Sequence, residues 1–574
     1  MTGNQAIATA ALDAGVALGV GYPGTPSTEV LEILSKLDGG KAEWAANEKT
    51  ALEIGAGVSF AGQRAIVTMK HVGLNVAADP LFTISYTGVK GGLVIYVADD
   101  PGMHSSQNEQ DSRHYARAAK IAMLEPSSSQ EAYDFTLKAF ELSEKFDTPI
   151  ILRSTTRVSH GKSFVVTRGK TENDCVTVLP DNRQKYVMVP AFAKKRHVIV
   201  EERQIALAKM LEEDSYFTKI EMNDTKIGII TNSAAYNYVK EAAPTASILK
   251  LGITNPLPVE KCKDFAAKFE KLYVVEELDP IIERDLKAAG ISNIIGKESF
   301  PILGEFNPDI VARGLGVPFD EMPIDELPQR PPALCAGCPH RSVFTILKKL
   351  GLTVSGDIGC YTLGVMPPLG TIDACICMGA SIGMAHGMIK AGAQSDKIVA
   401  VIGDSTFIHS GITGIVDMVY NKVPSTVIIL DNGITAMTGR QENPASGRDI
   451  AHASAPAIDI FALIKAIGVV DVKEIDAYNL AAIEEGLRDS LNFDGPSVII
   501  AKRPCMLIPH EDGKKRKVTD KCIACGSCLK VGCPAIYKQK GEMRGRTVDI
   551  PVIDAAQCRG CDLCKQVCPV SAIE

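Results

Sequence analysis

The sequence lacks any long hydrophobic run. Across its 574 residues, no segment approaches the roughly 18 consecutive apolar residues that a membrane-spanning helix needs. The first residues also lack the charged and apolar regions of a secretory signal, so we expect a cytoplasmic protein with no membrane partner. A strong charge of one sign is missing too, because the net charge is only -7. Nucleic acid is therefore not expected as a partner.

Cysteine is nearly absent from the first part of the chain, where only Cys175 and Cys262 precede residue 330. The other fourteen of the 16 cysteines follow, and eight of them lie in the last 53 residues. A secreted disulfide framework distributes its cysteines through a short chain, whereas clustered cysteines in a large cytoplasmic protein indicate metal or redox cofactors. The uneven distribution predicts a redox protein.

Short β-branched runs alternate with helical stretches along most of the sequence. Continuous apolar runs separated by helices are typical of parallel sheets buried on both faces, and a chain of this length is expected to form about three to five domains. Connections are predicted at 171–197, which looks irregular, at 318–332, which is proline-rich, and at 510–520, whose basic run we interpret as a solvated linker rather than a nucleic-acid patch. The predicted strands are residues 65–69, 93–98, 150–153, 227–231, 272–276, 398–402, 426–430 and 497–501.

Two cysteine motifs, each ending in Cys-Pro, occupy the tail of the chain. A loop with the pattern C-x2-C-x2-C can wrap three thiolates around a [4Fe–4S] cube, and in two-cluster ferredoxins the cysteine before proline ligates the other cluster. Zinc sites are normally built from C-x2-C pairs rather than from such triplets, so we predict two [4Fe–4S] clusters. The expected ligand sets are Cys522, Cys525, Cys528 and Cys568 for one cluster, and Cys558, Cys561, Cys564 and Cys533 for the other.

The first tail motif departs from the usual pattern, because four residues separate Cys528 from Cys533 where three are usual. The extra residue lies in the arm that reaches the second cluster, where it would alter the potential of that cluster or its iron content. Residues 514–574 also carry 12 Lys and Arg against 6 Asp and Glu. This positive charge would either neutralise the clusters or attract an acidic electron carrier.

Polar residues follow two neighbouring strands that we predict in the second half of the chain. Asp404 comes shortly after the run 398–402, and Asn432 follows the run 426–430. The pattern resembles the GDG…N motif of thiamine diphosphate (ThDP) enzymes. Because Mg²⁺ prefers oxygen ligands and α/β sheets bind ligands at the carboxyl ends of their strands, both residues are predicted to hold Mg²⁺ and with it the diphosphate. The candidate residues are Gly403, Asp404, Ser405 (in place of the usual second glycine), Asn432 and Ile434, whose backbone carbonyl is a third predicted Mg²⁺ ligand.

The first part of the chain looks like the pyrimidine-binding domain of the same enzymes. Glu48 precedes an Ala- and Gly-rich helix predicted over 50–61. In ThDP enzymes one glutamate hydrogen-bonds the aminopyrimidine ring and promotes deprotonation of the thiazolium C2. The resemblance makes Glu48 the candidate for this role. The alternative is that Glu48 is only a first-turn glutamate that the helix dipole favours. The turn 22–28 is similar to the YP-x-TPS segment of the family, which places the Thr25 hydroxyl near the substrate carboxylate. The alternative for Thr25 is a helix N-cap.

Four cysteines outside the tail also match a family pattern. Cys335 and Cys338 in a CxGC context, Cys360 after glycine and Cys505 after proline resemble the positions at which 2-oxoacid:ferredoxin oxidoreductases hold a cluster close to ThDP. The resemblance implies a third [4Fe–4S] cluster bound by these four residues. The alternative is a set of reduced, buried thiols, since free cysteine is often a small core residue.

Nearly the whole chain resembles the large (alpha) subunit of indolepyruvate ferredoxin oxidoreductases, including a TGGQ-type segment at 435–441. The resemblance implies an α/β, multidomain ThDP-binding fold. Two doubly wound parallel-sheet domains and a transketolase C-terminal-like domain would precede a C-terminal α+β two-cluster ferredoxin domain. The expected limits are 1–170 for the pyrimidine-binding domain, 171–225 for a linker, 226–318 for the transketolase-like domain, 330–510 for the diphosphate- and Mg²⁺-binding domain and 515–574 for the ferredoxin domain.

The same resemblance implies an activity. The expected reaction is the oxidative decarboxylation of arylpyruvates such as indolepyruvate to aryl-acyl-CoA and CO₂, with electrons passing through the clusters to an external ferredoxin. A smaller beta subunit in an α₂β₂ heterotetramer and coenzyme A are the other expected partners. Three alternatives stay open: a related oxidoreductase with a different 2-oxoacid range, a non-oxidative ThDP decarboxylase, and a non-catalytic electron-transfer subunit.

Overall fold

The chain folds into two compact units, Met1–Asp325 and Glu326–Glu574. Most of the predicted proline-rich connection at 318–332 lies outside the described residues, so its structure is not discussed. None of the helices within the described ranges is both long and apolar enough to cross a membrane. The computed structural model describes residues 1–170, 175–223, 226–319, 328, 331–509, 511–543 and 546–574.

The strands of the first unit belong to two sheets. Their central members are continuous β-branched sequences that are buried along their whole length, which explains why they occupy the middle of a sheet. In chain order the strands are β1 (Leu18–Gly21), β2 (Ala42–Trp44), β3 (Ala65–Lys70), β4 (Leu93–Asp99), β5 (Met123–Leu124), β6 (Ile150–Thr155), β7 (Thr218–Glu221), β8 (Ile227–Asn232), β9 (Ser247–Leu251), β10 (Ile253–Asn255), β11 (Lys271–Val275) and β12 (Ile294–Ile295).

The larger sheet has seven strands in the order β10-β5-β6-β4-β3-β1-β2, and the smaller has five in the order β12-β11-β8-β9-β7. Both sheets are parallel except at one edge, where β10 runs antiparallel to β5 and β7 runs antiparallel to β9. The carboxyl ends of β1, β3 and β4 therefore face the same edge of the large sheet, and the loops that follow them can share one site.

Helices cover both sheets of the first unit. The predicted helix over 50–61 is confirmed as α3, which begins two residues earlier. The helices are α1 (Gly3–Asp13), α2 (Glu29–Leu34), α3 (Glu48–Phe60), α4 (His71–Val76), α5 (Ala78–Thr87), α6 (Arg113–Ala119), α7 (Ser129–Phe146), α8 (Thr156–His160), α9 (Arg183–Tyr186), α10 (Pro190–Glu213), α11 (Ser233–Ala242), α12 (Val259–Ala266), α13 (Ile281–Ala288) and α14 (Pro308–Leu315).

Helix α10 corrects the prediction of an irregular segment at 171–197, because its 24 residues begin at Pro190. Its buried face includes Arg196 and Arg203, whose guanidinium groups donate to backbone carbonyls of α5 and of the loop after α7. Two charged side chains on the buried face hide the apolar periodicity that would have revealed the helix. Residues 171–174 of this segment lie outside the described part of the chain.

The second unit contains a parallel five-stranded sheet and a two-stranded hairpin in the tail, with strand order β13-β14-β15-β17-β16 in the sheet. Its strands are β13 (Thr353–Ser355), β14 (Ile398–Gly403), β15 (Thr426–Asp431), β16 (Asp471–Asp476), β17 (Ser497–Lys502), β18 (Ile536–Met543) and β19 (Arg546–Ile553). Its helices are α15 (His340–Leu350), α16 (Ala380–Lys390), α17 (Asp404–Thr406), α18 (Ile412–Tyr420), α19 (Ile460–Ile467), α20 (Leu480–Leu491) and α21 (Leu563–Gln566).

Three 3₁₀ turns and one π-helical turn are also present among the described residues of the second unit. The π turn joins α17 to α18, so that one nearly continuous helix follows β14. All eight predicted strands are present in the two units, each shifted or extended by at most two residues, and the prediction of parallel sheets is confirmed. The 3₁₀ turns are Cys360–Val365, Ser395–Lys397 and Ser527–Val531, and the π turn is Phe407–Gly411.

Candidate functional site

Glu48 lies at the first position of α3, in a buried site of the first unit. The side-chain oxygen of Asn47 accepts a hydrogen bond of 2.9 Å from the Thr50 amide, which caps the helix immediately before Glu48. Glu48 is only 4% exposed, whereas a glutamate that only complements the helix dipole needs no burial. Gly73 of α4 packs on it, because a Cβ atom at this position would lie 2.6 Å from Oε1 of Glu48.

The turn that carries Thr25 follows β1. The Gly24 amide donates to Oγ1 of Thr28 at 2.9 Å, and the Ser105 hydroxyl donates to the Thr25 carbonyl at 3.4 Å. Thr25 itself is half-buried. Helix α2 begins at Glu29 with Thr28 directly before it, so Thr25 is not the N-cap residue of that helix and the alternative of a capping role does not apply.

Lys70, which we did not identify from the sequence, ends β3 beside this turn. It is 7% exposed, and its ammonium group donates to the Ser105 carbonyl at 2.6 Å. Within the described residues, no carboxylate lies within ion-pair distance of it; burial lowers the pKa of Lys70 to about 8, against the raising effect of the more distant Asp100. Lysine is almost never fully buried unless paired. Its position at the end of an apolar strand could therefore have identified Lys70 from the sequence as a candidate functional residue.

Asp404 and Asn432 lie at the carboxyl ends of the adjacent parallel strands β14 and β15, as predicted from the motif. Oδ2 of Asp404 accepts a hydrogen bond of 3.0 Å from the Gly433 amide, which brings the two loops together. Burial, and then the charge of Asp431, raises the pKa of Asp404 to about 7. A buried carboxylate of this kind fits a divalent cation, because a cation would stabilise its charged form.

The other residues of the motif line the same loops. A Cβ atom at Gly403 would lie 2.6 Å from the ring of Tyr361, so only glycine fits there. The Ser405 hydroxyl accepts a hydrogen bond of 2.8 Å from Thr435, a role that the usual glycine could not fill. Ile434 is buried, and its amide donates to Oδ1 of Asn432 at 3.2 Å.

The four cysteines of the expected third cluster lie near one another in the second unit. Burial raises the pKa of the Cys338 thiol to about 12 and of the Cys360 thiol to about 11. The neighbouring thiols raise them further: Cys335 acts on both, and Cys505 acts on Cys360. Cys338 and Cys505 are buried, Cys360 is half-buried and Cys335 is exposed. Neighbouring thiols of this kind fit a positively charged iron–sulfur core, to which they would bind as thiolates.

The tail cysteines line two separate cavities, and each cavity contains one of the two predicted ligand sets. The first cavity is lined by Cys522, Cys525, Cys528 and Cys568. The second is lined by Cys533, Cys558, Cys561 and Cys564. Cys568 thus lies with the first motif and Cys533 with the second, which is the arrangement that the predicted exchange requires, while the ligand roles stay predictions.

The basic run at 514–517 is more than the solvated linker that we predicted. Arg516 lines the second cavity, forms an ion pair with Asp562, and its amide donates to the Cys558 thiol at 3.4 Å. No group of three or more His, Cys, Asp or Glu side chains in the described ranges is spaced for a single metal ion. A [4Fe–4S] cube spaces its thiolates more widely, since each binds a different iron.

Three segments of the chain match known families. Residues 9–224 match "Pyruvate flavodoxin/ferredoxin oxidoreductase, thiamine diP-bdg", residues 357–501 match "Thiamine pyrophosphate enzyme, C-terminal TPP binding domain", and residues 521–572 match "4Fe-4S dicluster domain". The chain is also 40% identical to the indolepyruvate oxidoreductase subunit IorA of Archaeoglobus fulgidus, over 100% of this chain and 97% of that protein. The chain belongs to the IorA family. The IorA subunits of Methanothermobacter thermautotrophicus and Pyrococcus horikoshii are 38% and 39% identical over all of this chain, and the matches cover 97% and 96% of those proteins.

Membership of the IorA family confirms the predicted ThDP-binding α/β fold with a two-cluster ferredoxin domain. The enzyme class is also confirmed: the chain is a ThDP-dependent 2-oxoacid ferredoxin oxidoreductase. The tail matches an iron–sulfur family, which decides against zinc. The roles of single residues, the domain limits, the Mg²⁺ ion and the third cluster stay predictions.

Proposed function

We propose that this IorA-family chain oxidatively decarboxylates arylpyruvates, of which indolepyruvate is the first candidate. The 2-oxoacid and coenzyme A would give aryl-acyl-CoA and CO₂, while two electrons would pass one at a time to two molecules of oxidised ferredoxin. The full-length relatives named indolepyruvate oxidoreductase subunits support this substrate class. They are named as subunits, so we expect a smaller beta subunit to be required and an α₂β₂ heterotetramer to be the active form.

The first unit supplies the residues that would act on the pyrimidine ring and the substrate. When bound, ThDP supplies the electron sink that the loss of CO₂ requires. Glu48, buried and oriented by its position at the start of α3, would hold a proton on the pyrimidine end of the cofactor. A carboxylate within hydrogen-bond reach of a ring nitrogen is placed to transfer a proton to or from it.

Lys70 and Thr25 would bind the substrate carboxylate. The Lys70 ammonium group has no carboxylate partner in the described structure and is linked through Ser105 to the Thr25 turn. A buried cation that has no carboxylate in direct contact attracts an anion strongly, because the surrounding dielectric is low. A 2-oxoacid supplies that anion, and binding it would also satisfy the ammonium donors that Ser105 leaves unused.

Asp404 and Asn432 would hold Mg²⁺, and the Ile434 carbonyl would be the third protein ligand. An ion with this coordination would carry the diphosphate at the carboxyl ends of β14 and β15, where parallel sheets generally bind phosphates. Gly403 keeps this edge of the sheet clear beneath Tyr361, and Ser405 fixes the loop that follows β15.

A single hydrogen bond supports an oxidative role most directly. The amide of Cys505 donates to the carbonyl oxygen of Asn432 at 3.0 Å. The candidate ligand of the third cluster and the candidate ligand of Mg²⁺ are therefore joined through their backbones. An electron carrier at Cys335, Cys338, Cys360 and Cys505 would lie beside the diphosphate site, as one-electron oxidation of the bound substrate requires.

The test is a panel of 2-oxoacids assayed anaerobically with the partner subunit, coenzyme A and methyl viologen as the electron acceptor. We expect the highest kcat/KM with indolepyruvate and other arylpyruvates. Preference for pyruvate, 2-oxoglutarate or branched-chain 2-oxoacids would assign the chain another substrate range. An aldehyde product without viologen reduction would instead show a non-oxidative decarboxylase.

A further inference from the structure

The tail arm with the extra residue contacts a buried arginine of the diphosphate-binding domain. Arg341 is the second residue of α15 and is 2% exposed. Its Nη1 donates to the carbonyl oxygen of Gly532 at 2.6 Å and to that of Val531 at 3.3 Å. These are the last two residues before Cys533, so the arginine binds the arm that delivers this cysteine to its cavity.

The same guanidinium group also binds the turn that carries the third set of cysteines. Its Nε donates to the carbonyl oxygen of Cys335 at 3.1 Å, and its Nη2 donates to that of Leu334. Arg341 thus satisfies backbone carbonyls on both sides with one planar group, which is a geometry that lysine cannot reproduce.

The extra residue of the first tail motif has a structural role in this contact. The 3₁₀ turn Ser527–Val531 ends at Gly532, whose φ of +73° lies in the left-handed region. A Cβ atom at Gly532 would lie 2.9 Å from Cδ of Pro368 and 3.1 Å from Nη1 of Arg341. The four-residue spacing therefore closes the turn with a glycine and presents two consecutive carbonyls to the arginine.

Arg341 is also a buried cation without an anionic side chain beside it. Within the described part of the chain it forms no ion pair with Asp or Glu, and its hydrogen bonds go to backbone carbonyls. Four cysteines, two from each cluster site, lie around Arg341: Cys335 and Cys338 on one side, and Cys533 and Cys561 on the other. The cavity lined by Cys533 and Cys561 includes Arg341 in its wall.

We propose that Arg341 is a positioning residue that couples the third cluster site to the tail cluster held by Cys533, Cys558, Cys561 and Cys564. It would clamp the arm ending in Cys533 to the Cys335 turn, and its charge would stabilise the reduced tail cluster. Reduction adds one electron, donated by the neighbouring cluster, and a cation in a low-dielectric wall favours the state with the extra negative charge. This inference rests on the third cluster of the proposed function.

The test is a redox titration of the complete enzyme with its partner subunit, followed by electron paramagnetic resonance. Arg341→Met should lower the midpoint potential of one tail cluster by at least about 59 mV, which is a tenfold change in the reduction equilibrium of a one-electron couple. Arg341→Lys should leave the midpoint potential close to that of the unaltered enzyme, because it keeps the positive charge. It should weaken the magnetic interaction between the two clusters, because lysine lacks the planar set of N–H donors that binds both turns. Lys349→Met is the control, since Lys349 lies on the same helix with its side chain 60% exposed.

The outcomes separate this inference from the proposed function. About twelve irons per chain with unchanged potentials in Arg341→Met would overturn the role of Arg341 and leave the third cluster intact. About eight irons in the unaltered enzyme would remove the third cluster and the coupling together. If Arg341→Met does not fold, Gly532→Ala moves the arm away from Arg341 without removing charge. It should weaken the magnetic interaction, and an interaction of normal strength would refute the clamp.

Discussion

Gly73 packs directly on Glu48, and a single added carbon at position 73 would lie 2.6 Å from both Cγ and Oε1 of the glutamate. The contact fixes the carboxylate within its buried site, because neither α4 nor the start of α3 can move without repacking against β3 and β4. Glu48 is therefore oriented by packing as well as by the helix that it begins.

Replacing Gly73 with alanine tests this orientation. Alanine is favoured over glycine within a helix by about 1 kcal/mol, so the fold should persist while the glutamate is displaced. A shift of about 1 Å in a catalytic group can cost roughly 100-fold in rate, and we expect kcat for decarboxylation to fall by about that factor. Gly57→Ala is the control, because nothing lies within 4 Å of a Cβ atom there. Equal activity of the two variants would show that Gly73 does not position Glu48.

Replacing Glu48 with glutamine tests the proton-holding role. The side chain keeps its size but loses its proton affinity, and such roles contribute typically about 10²- to 10⁴-fold. We expect ThDP-dependent decarboxylation to fall by at least about 100-fold while iron and sulfide content stays unchanged. Glu53→Gln, on the exposed face of the same helix, should retain full turnover. Unchanged turnover in Glu48→Gln would remove the catalytic role.

Asp404 predicts a pH dependence of cofactor binding. Burial raises the pKa of Asp404 to about 7, and a proton on this carboxylate competes with Mg²⁺. The affinity for Mg²⁺–ThDP should be constant above about pH 7 and should fall about tenfold for each pH unit below it. Fluorescence titration with ThDP at several pH values measures this.

The variant Asp404→Asn should bind Mg²⁺–ThDP at least about tenfold more weakly and without this pH dependence. Asp417→Asn provides the control, since Asp417 is exposed on the following helix with 58% of its side chain accessible. Wild-type affinity in Asp404→Asn would refute the metal role.

Lys70 predicts a second pH dependence, in kcat/KM rather than in cofactor affinity. Because burial lowers the pKa of Lys70 to about 8, the cation is present below that pH and is lost above it. We expect kcat/KM for an arylpyruvate to fall about tenfold per pH unit above about pH 8, since this parameter reports on the free enzyme.

Lys70→Met should raise the KM for the 2-oxoacid by more than about tenfold and abolish the decline in kcat/KM above about pH 8. The affinity for ThDP should change by no more than about a factor of two, which is a binding free-energy difference on the order of 0.4 kcal/mol. Lys49→Met, at an exposed position with 46% of its side chain accessible, should behave as the unaltered enzyme. An unchanged KM in Lys70→Met would exclude contact with the substrate carboxylate.

Iron content tests the third cluster. Three four-iron cubes require about twelve irons per chain, and Cys505→Ser should reduce the content to about eight while preserving the two tail clusters. The control is Cys262→Ala, whose buried thiol lies in the core of the five-stranded sheet of the first unit. About eight irons in the unaltered protein would leave Cys335, Cys338, Cys360 and Cys505 as ordinary thiols.

Much of the fold was predictable because its signals are local. The buried strands are continuous β-branched runs, and the loops after β14 and β15 carry a short motif with Asp404 and Asn432. Helix α10 was missed because Arg196 and Arg203 lie on its buried face, where their partners are backbone carbonyls and the Asp147 carboxylate, all from distant parts of the chain. No pattern within the helix itself reports such partners.

The sequence by itself predicted the two tail ligand sets, since the spacing of cysteines within a loop decides which thiolates can reach one cube. It also determined the family, through motifs spread over the whole chain. Only the tertiary structure decided the roles inferred for Lys70 and Arg341, because each depends on backbone carbonyls far away in sequence. A buried cation is recognised by what surrounds it, and its surroundings exist only once the chain has folded.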